Sequence, residues 1–472
     1  MEKRTFSDFS AIDYEGLHSF LSYCQQQAVT KKHFQLVSIS IEVNHIDPLA
    51  VLESIYDSET FHFYLERKYE GIAVAGIEHV LKHSVSGEDR FSKIDTYCDE
   101  ILEHSISIGG ENLRFAGPCF YYSFTFEDSL ADNSKASTVF VPRWQVSKVN
   151  HQYVAVANVV IDSETNIEEA TKKIWAAHQK FTDYNYAGFD CSEKHALSDL
   201  TEKTQPSDQY ETIVKAALEK IKNKEFEKIV LARKRTFLHK GKVPIIPCLS
   251  QLREVHPSSY TFSFSYGSNI VFLGSTPERL VDLKEGRLET AAIAGTEKRG
   301  MSPTEDAQLA QTLLSRSKDI AEHAFVVKSI TEKLASIGID AELSSRPELL
   351  QLSNVQHLIT PITADVDKKN GVLDIAGVLH PTAAIAGFPV DVAKQNLSEL
   401  EDFERGPYSG VVGWRDANGD GLAVVGIRSA LIQEGEINLF AGAGIVKDSK
   451  PEVEKLETNM KFNALLDVIK AL

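Results

Sequence analysis

Residues 260–293, YTFSFSYGSNIVFLGSTPERLVDLKEGRLETAAI, decide the fold class. Aromatic and aliphatic residues alternate with polar ones, the period of a strand, and YGSN, TPE and KEG interrupt the alternation as tight turns. The stretch therefore predicts four successive strands, 260–266, 269–274, 279–283 and 287–293, forming a meander in an antiparallel sheet. Upstream, Ile213, Ala217, Leu218 and Ile221 recur at helical spacing before an alternating run, KIVLARKRT, at 228–236. Downstream, Leu309, Leu313, Ile320, Val327 and Leu334 lie on one side of a single long helix over 306–336. Strands are expected at 410–414, 422–431 and 437–441, and a last helix starts at Pro451, since proline suits the first helical turn. Helices and antiparallel strands in blocks make the chain α+β.

Residues 1–200 show helical spacing at 14–28 and 167–180 and strands at 120–126 and 137–141, but few motifs. A polar stretch, LSDLTEKTQPSD at 197–208, reads as a linker between this portion and 208–472. The chain has 472 residues, 43% hydrophobic and 25% charged, a globular balance with ample material for a core. The longest apolar runs, such as 71–77 and 383–388, fall far short of the ~20 residues needed to cross a bilayer. The first residues show no signal-peptide pattern, so a cytoplasmic protein is expected. Cys24, Cys98, Cys119, Cys191 and Cys248 have no CxxC spacing and read as buried free thiols. A net charge of −17 argues against nucleic acid or an anionic membrane as partner. An anionic small molecule has to be met by locally placed cations.

Several groups could carry chemistry. Asp319 with Glu322, and Glu454 with Glu457, are spaced three apart on predicted helices, so each pair projects carboxylates in one direction. Such pairs are usually solvated faces, but two that converge suit a hard divalent cation that keeps water or substrate oxygens in its remaining positions. The segment FAGAGIV at 440–446 reads as a glycine turn from strand to helix, where Gly442 and Gly444 let backbone N–H groups approach an anion. Glu457 and Lys461 lie four apart, as in an ordinary helical ion pair. Lys228 opens an apolar strand, where a lysine usually points into water. Glu278 follows a proline that marks a turn.

The ordered motifs EKIVLAR (227–233), FLGSTPERL (272–280), IAGTEKRG (293–300), SRSKDIAEH (315–323), HPTAAIAGFP (380–389), YSGVVGW (408–414), VVGIRSA (424–430), FAGAGIV and ETNMK (457–461) resemble those of the chorismate-utilising enzymes. That family includes isochorismate, salicylate, anthranilate and aminodeoxychorismate synthases. The resemblance runs from about residue 211 to the C-terminus. It implies one large sandwich of antiparallel sheets flanked by helices, with a central cleft to which 1–200 contributes a poorly marked portion.

The resemblance also implies roles. Amino-adding relatives have glutamine where this chain has Lys228, and aminodeoxychorismate synthase has its lysine nucleophile where this chain has Ala294. Water is thus the expected nucleophile, and no glutamine amidotransferase subunit is expected as partner. Ala384 resembles the isochorismate synthases, whereas salicylate-forming relatives tend to carry threonine there. Lys228 is implied as base and Glu278 as acid. Mg²⁺ is implied on Glu322 and Glu457, with Asp319 and Glu454 behind them. Thr296, Ala384, Tyr408, Arg428, Gly442, Gly444 and Lys461 are implied in binding chorismate, and menaquinone biosynthesis is the expected pathway. An ordinary lysine is neutral at pH 7 in only roughly one molecule in 2,500. The base is therefore expected to be buried or beside a cation such as Arg233. The acid needs a dry site that keeps its proton on. Val51-Leu-Glu-Ser faintly resembles the feedback motif of anthranilate synthase, but its continuation differs and a strand is expected there.

Overall fold

A computed structural model describes residues 13–110, 113–132, 134–182, 200–203, 209–352, 355–367 and 369–471. The 260–293 stretch forms four strands, Tyr260–Ser265, Val271–Thr276, Arg279–Lys284 and Arg287–Lys298. They do not form one meander. The first two pair in a 13-stranded sheet and the last two in a 10-stranded sheet. The chain crosses between the sheets at Pro277-Glu278, because proline has no N–H with which to continue a ladder. Glu278 N instead donates to Thr276 Oγ1 at 3.1 Å.

A second crossing divides the expected strand 422–431. Gly421–Val425 belongs to the smaller sheet and Ser429–Gln433 to the larger, with Arg428 in the left-handed region at φ 49° between them. The two crossings are bonded to each other, Ser275 N to Arg428 O at 3.1 Å and Val425 N to Glu278 O at 3.0 Å. Glu278 and Arg428 are thereby held side by side where the sheets part.

Period-two alternation explains the layers. Tyr260, Phe262, Phe264 and Phe272 point between the sheets and pack with Tyr121, Phe140 and Trp414 of the smaller one. Val271 and Leu273 point the other way, into the cluster that holds Leu249 and Leu252 of helix Ile245–Val255. Each fully buried phenylalanine contributes about 1.5–3 kcal/mol by leaving water.

Residues before 200 enter both sheets. Strand His62–Arg67 pairs with Tyr260–Ser265, and Phe120–Phe124 pairs with Val411–Arg415. Of the expected linker, only 200–203 lies among the described residues, and Thr201–Glu202 pairs there with Phe237 and Leu238. The first twelve residues and Cys191 lie outside the described residues. Cys24, Cys98, Cys119 and Cys248 are buried free thiols. Among the described residues no helix is long and apolar enough to cross a membrane.

Two further expectations change. Residues 51–54 are helical, not extended, because Asp47 caps helix Pro48–Ser54 through Leu49 N and Pro48 starts it. The long helix over 306–336 is two helices, Pro303–Ser315 and Ser317–Ser336, separated at Arg316, where ψ is 115°. Arg316 leaves the helical path to pair with Glu297 at 2.6 Å and Asp319 at 3.1 Å. The final helix, Pro451–Lys470, starts on its proline as expected.

Candidate active site

Where the sheets part, a cleft of about 740 Å³, measured out to its open mouth, is lined by Glu278, Thr296, Glu322, Ala384, Tyr408, Arg428, Gly442, Gly444, Glu457 and Lys461. These are the residues anticipated from the sequence, with Lys228 immediately behind them.

Lys228 is the first residue of strand Lys228–Leu238 and is fully buried, contrary to the usual behaviour of a lysine at a strand end. Its Nζ lies 3.2 Å from Glu322 Oε1, and no described residue completes a well-directed hydrogen bond with it. Arg233 does not serve as a neighbouring cation; it donates to Thr458 and Asn459 at 2.8 Å and lies over the rings of Tyr210 and Phe462.

The glycine turn expected at 440–446 is not a turn. Gly442 and Gly444 lie inside strand Glu436–Ile445, paired with Ala232 and Val230. Their role is close approach. A Cβ at Gly444 would stand 2.2 Å from Glu322 Oε1 and 3.1 Å from Lys228 Cε, and one at Gly442 would stand 3.0 Å from Tyr408 Oη. The missing side chains leave room for the functional ones.

On one wall, Arg428 donates to His357 Nε2 at 2.8 Å. Because a guanidinium can only donate, Nε2 accepts and the ring proton sits on Nδ1, which lies 3.1 Å from Thr296 Oγ1 and 3.2 Å from Gly295 O. Burial, then the nearby Arg428 and Lys461, hold His357 neutral by pushing its pKa well down. Sequence spacing gave no signal for His357, a single histidine in an apolar strand. It is the cross-strand partner of Thr296, a relation that exists only once the sheet has formed. Lys461 Nζ donates to Gly442 O and to Glu457 Oε1, both at 2.8 Å. Tyr408 stacks on Phe440, and burial pushes its hydroxyl up to about 12, so it remains a neutral donor.

Burial raises the Glu278 carboxyl to about 7, against the opposing pull of Lys228, Lys461 and Arg428. This has a sign that can be measured. A carboxyl whose folded pKa exceeds its unfolded value binds more protons when folded, so its contribution to stability falls as pH rises from about 4.5 to about 7. The loss is on the order of 3 kcal/mol. Thermal midpoints of the wild type should therefore drop between pH 5 and 8 by more than those of Glu278→Gln. Parallel curves for the two proteins would show that Glu278 does not hold its proton in the fold.

The two acidic pairs converge. Glu322 and Glu457 line the cleft from different helices, with Asp319 and Glu454 one turn behind them. Burial raises Asp319 to about 6, and neighbouring Glu322 and Glu457 add to the effect. Glu454 is raised by burial too, whereas Lys461, Lys318 and a hydrogen bond from Thr296 outweigh burial at Glu457 and hold it low. Lys318 bridges to Glu454 at 2.6 Å, yet Asp319 Oδ2 and Glu454 Oε2 are buried without a completed hydrogen bond. Among the described residues no three ligating side chains are preassembled. The donor set fits a hard cation that takes two carboxylates and leaves its other positions to water or substrate.

The profile of the chorismate binding enzymes matches residues 21–470. The chain belongs to the chorismate binding enzyme family. Within that family it is 27% identical to isochorismate synthase MenF of Bacillus subtilis, over 93% of this chain and 94% of that one. It is 30% identical to the salicylate biosynthesis isochorismate synthase of Pseudomonas aeruginosa, over 93% and 90%. Its fold is that of MenF, the menaquinone-specific isochorismate synthase of Escherichia coli, with a TM-score of 0.74 at 21% identity over 95% of this chain and 99% of that one. Anthranilate synthase component I of Streptococcus pneumoniae shares the fold at a TM-score of 0.66 and 21% identity, over 84% and 92%. These likenesses agree with the α+β sandwich expected from the motifs.

Proposed function

We propose that this chorismate binding enzyme is an isochorismate synthase. The observation that carries the reading is a fully buried lysine and a buried, proton-retaining carboxyl, Lys228 and Glu278, at one cleft that also presents Arg428 and Lys461. Chorismate is a dianion. One carboxylate is met by Arg428, Lys461 and Tyr408, and the other lies towards Glu322 and Glu457. Those two residues would hold Mg²⁺, which supplies positive charge against a substrate carboxylate.

Lys228 takes a proton from a water as its oxygen bonds to ring carbon C2. The ring double bonds shift, the C4–O bond breaks, and Glu278 protonates the departing hydroxyl so that it leaves as water. One water enters and one leaves. Ala294 places no amine in the cleft, and Ala384 places no hydroxyl there, which favours water as nucleophile and a reaction that stops at isochorismate. An amidotransferase subunit has no task in such a reaction. Residues 208–472 carry all the acting side chains, with 1–200 completing the sheets around them. The near full-length likeness to the two MenF proteins favours menaquinone supply as the pathway and the cytoplasm as its place.

Purified protein incubated with chorismate and Mg²⁺ should form isochorismate without stoichiometric pyruvate, and excess chelator should stop it. Pyruvate released at the rate of chorismate loss would make the chain a lyase. Full turnover in chelator would return the acidic pairs to a structural role.

A further inference from the structure

We propose that Arg405, paired with Glu401, is a positioning residue of the cleft, joining the strand that carries Lys228 to the wall that carries Ala384 and Ile385. The proposal rests on chorismate occupying this cleft and concerns what keeps the walls at their spacing.

Strand Lys228–Leu238 is paired along one side with Glu436–Ile445. On its other side a ladder starts and then stops at Val230. Lys228 and Ile229 pair with Phe388 and Gly387, and Val230 N donates to Ala386 O at 2.9 Å. There the neighbouring chain turns away, because Ala386 N donates to Thr382 O at 3.0 Å and is not left for Val230 O. Buried backbone groups without partners are costly. Arg405 and Glu401 fill the place of the missing strand. Arg405 Nη2 donates to Val230 O at 2.7 Å, and Ala232 N donates to Glu401 Oε1 at 2.7 Å.

The same guanidinium reaches the opposite wall. Arg405 Nη1 donates to Ile385 O at 2.8 Å, while Nε and Nη2 donate to the two oxygens of Glu401 at 2.8 and 2.6 Å. Because the fork is planar and rigid, one side chain fixes Val230 O relative to Ile385 O. Arg405 is 2% exposed, and its own backbone is anchored where Arg405 N and Gly406 N donate to the Glu127 carboxylate at 2.8 and 3.0 Å. Its carbonyl accepts from Tyr408 N at 3.1 Å. Val230, Ala384, Ile385 and Tyr408 all line the cleft, whereas Arg405 lies behind them with its charge matched by Glu401. It therefore acts on a substrate only through the residues it holds. Val230 shares a strand face with Lys228, two positions before it, so the tie extends to the base.

The test uses the full chain. Arg405→Lys keeps the charge but replaces the fork by a single ammonium, which cannot span Glu401, Val230 O and Ile385 O together. In hydrogen exchange followed by mass spectrometry, peptides covering 228–233 and 380–388 should exchange about tenfold faster than in the wild type, the size of one charge-assisted hydrogen bond, with peptides covering 260–265 unchanged. In the Glu278→Gln background, where chorismate is held without turnover, the same substitution should raise the calorimetric dissociation constant for chorismate about tenfold. Glu401→Gln sets an amide NH₂ against Arg405 Nε and should move both readouts the same way by about threefold; it carries the test if Arg405→Lys does not fold. A merely structural role would speed exchange throughout the chain and leave the dissociation constant of the folded protein in place. That pattern, or an unchanged dissociation constant beside faster local exchange, or no change in either readout, overturns the proposal. Failure of Glu278→Gln itself to bind chorismate would defeat the chorismate reading of the cleft and the proposal with it. Pyruvate released by the wild type in place of isochorismate would defeat only the reaction assigned to the cleft, a result independent of both readouts.

Discussion

Glu278→Gln should lower turnover by roughly 10²- to 10⁴-fold while chorismate still binds, since the amide keeps the shape of the side chain and removes the proton the leaving hydroxyl requires. Lys228→Gln should cost as much, because an amide cannot accept a proton from water. The reaction exchanges one hydroxyl position for another, so the reverse direction uses the same two residues in opposite roles. Each variant should therefore lose both directions together, measured as initial rates from chorismate and from isochorismate. Near wild-type rates in Lys228→Gln, or loss of one direction alone, would show that Lys228 is not the base. Both side chains are buried, and burial is what raises the Glu278 carboxyl to about 7.

Gly444→Ala should also be damaging, through the side chains that it crowds. The backbone there is ordinary strand, so the substitution carries no conformational strain. Its effect is contact: a Cβ 2.2 Å from Glu322 Oε1 forces that carboxylate to move, and at 3.1 Å from Lys228 Cε it asks the lysine to give by a few tenths of an ångström. Displacing reacting groups by about 1 Å costs on the order of 10²-fold in rate. Gly442→Ala, at 3.0 Å from Tyr408 Oη, asks only a binding side chain to yield and should cost much less. Steady-state kinetics at varied Mg²⁺ would rank the two, with Gly444→Ala also needing more metal if Glu322 is a ligand. Equal effects, or an active Gly444→Ala, would mean that the strand does not set the spacing of Lys228 and Glu322.

These glycines show what the sequence made legible and what it left hidden. FAGAGIV drew attention to residues that line the cleft but suggested the wrong structure, because a glycine pair looks the same whether it turns the chain or makes room for a neighbour. The strands of 260–293 were visible from their alternation, but their division between two sheets was not. Alternation reports which face is buried and is silent about which strand lies alongside. Pro277 and Arg428 mark the two crossings, each at the end of a run that reads as continuous or as a simple turn. Lys228, Glu278 and the acidic pairs were found through ordered motifs, since any one of them alone resembles a surface charge. His357 had no local pattern, because its partner Arg428 is distant in sequence and adjacent only across the cleft.

The most direct measurement is turnover of chorismate with Mg²⁺ in water enriched in oxygen-18. The account predicts isochorismate carrying one heavy oxygen, at the C2 hydroxyl, with no matching release of pyruvate. Unlabelled isochorismate, or pyruvate formed as fast as chorismate disappears, would contradict it.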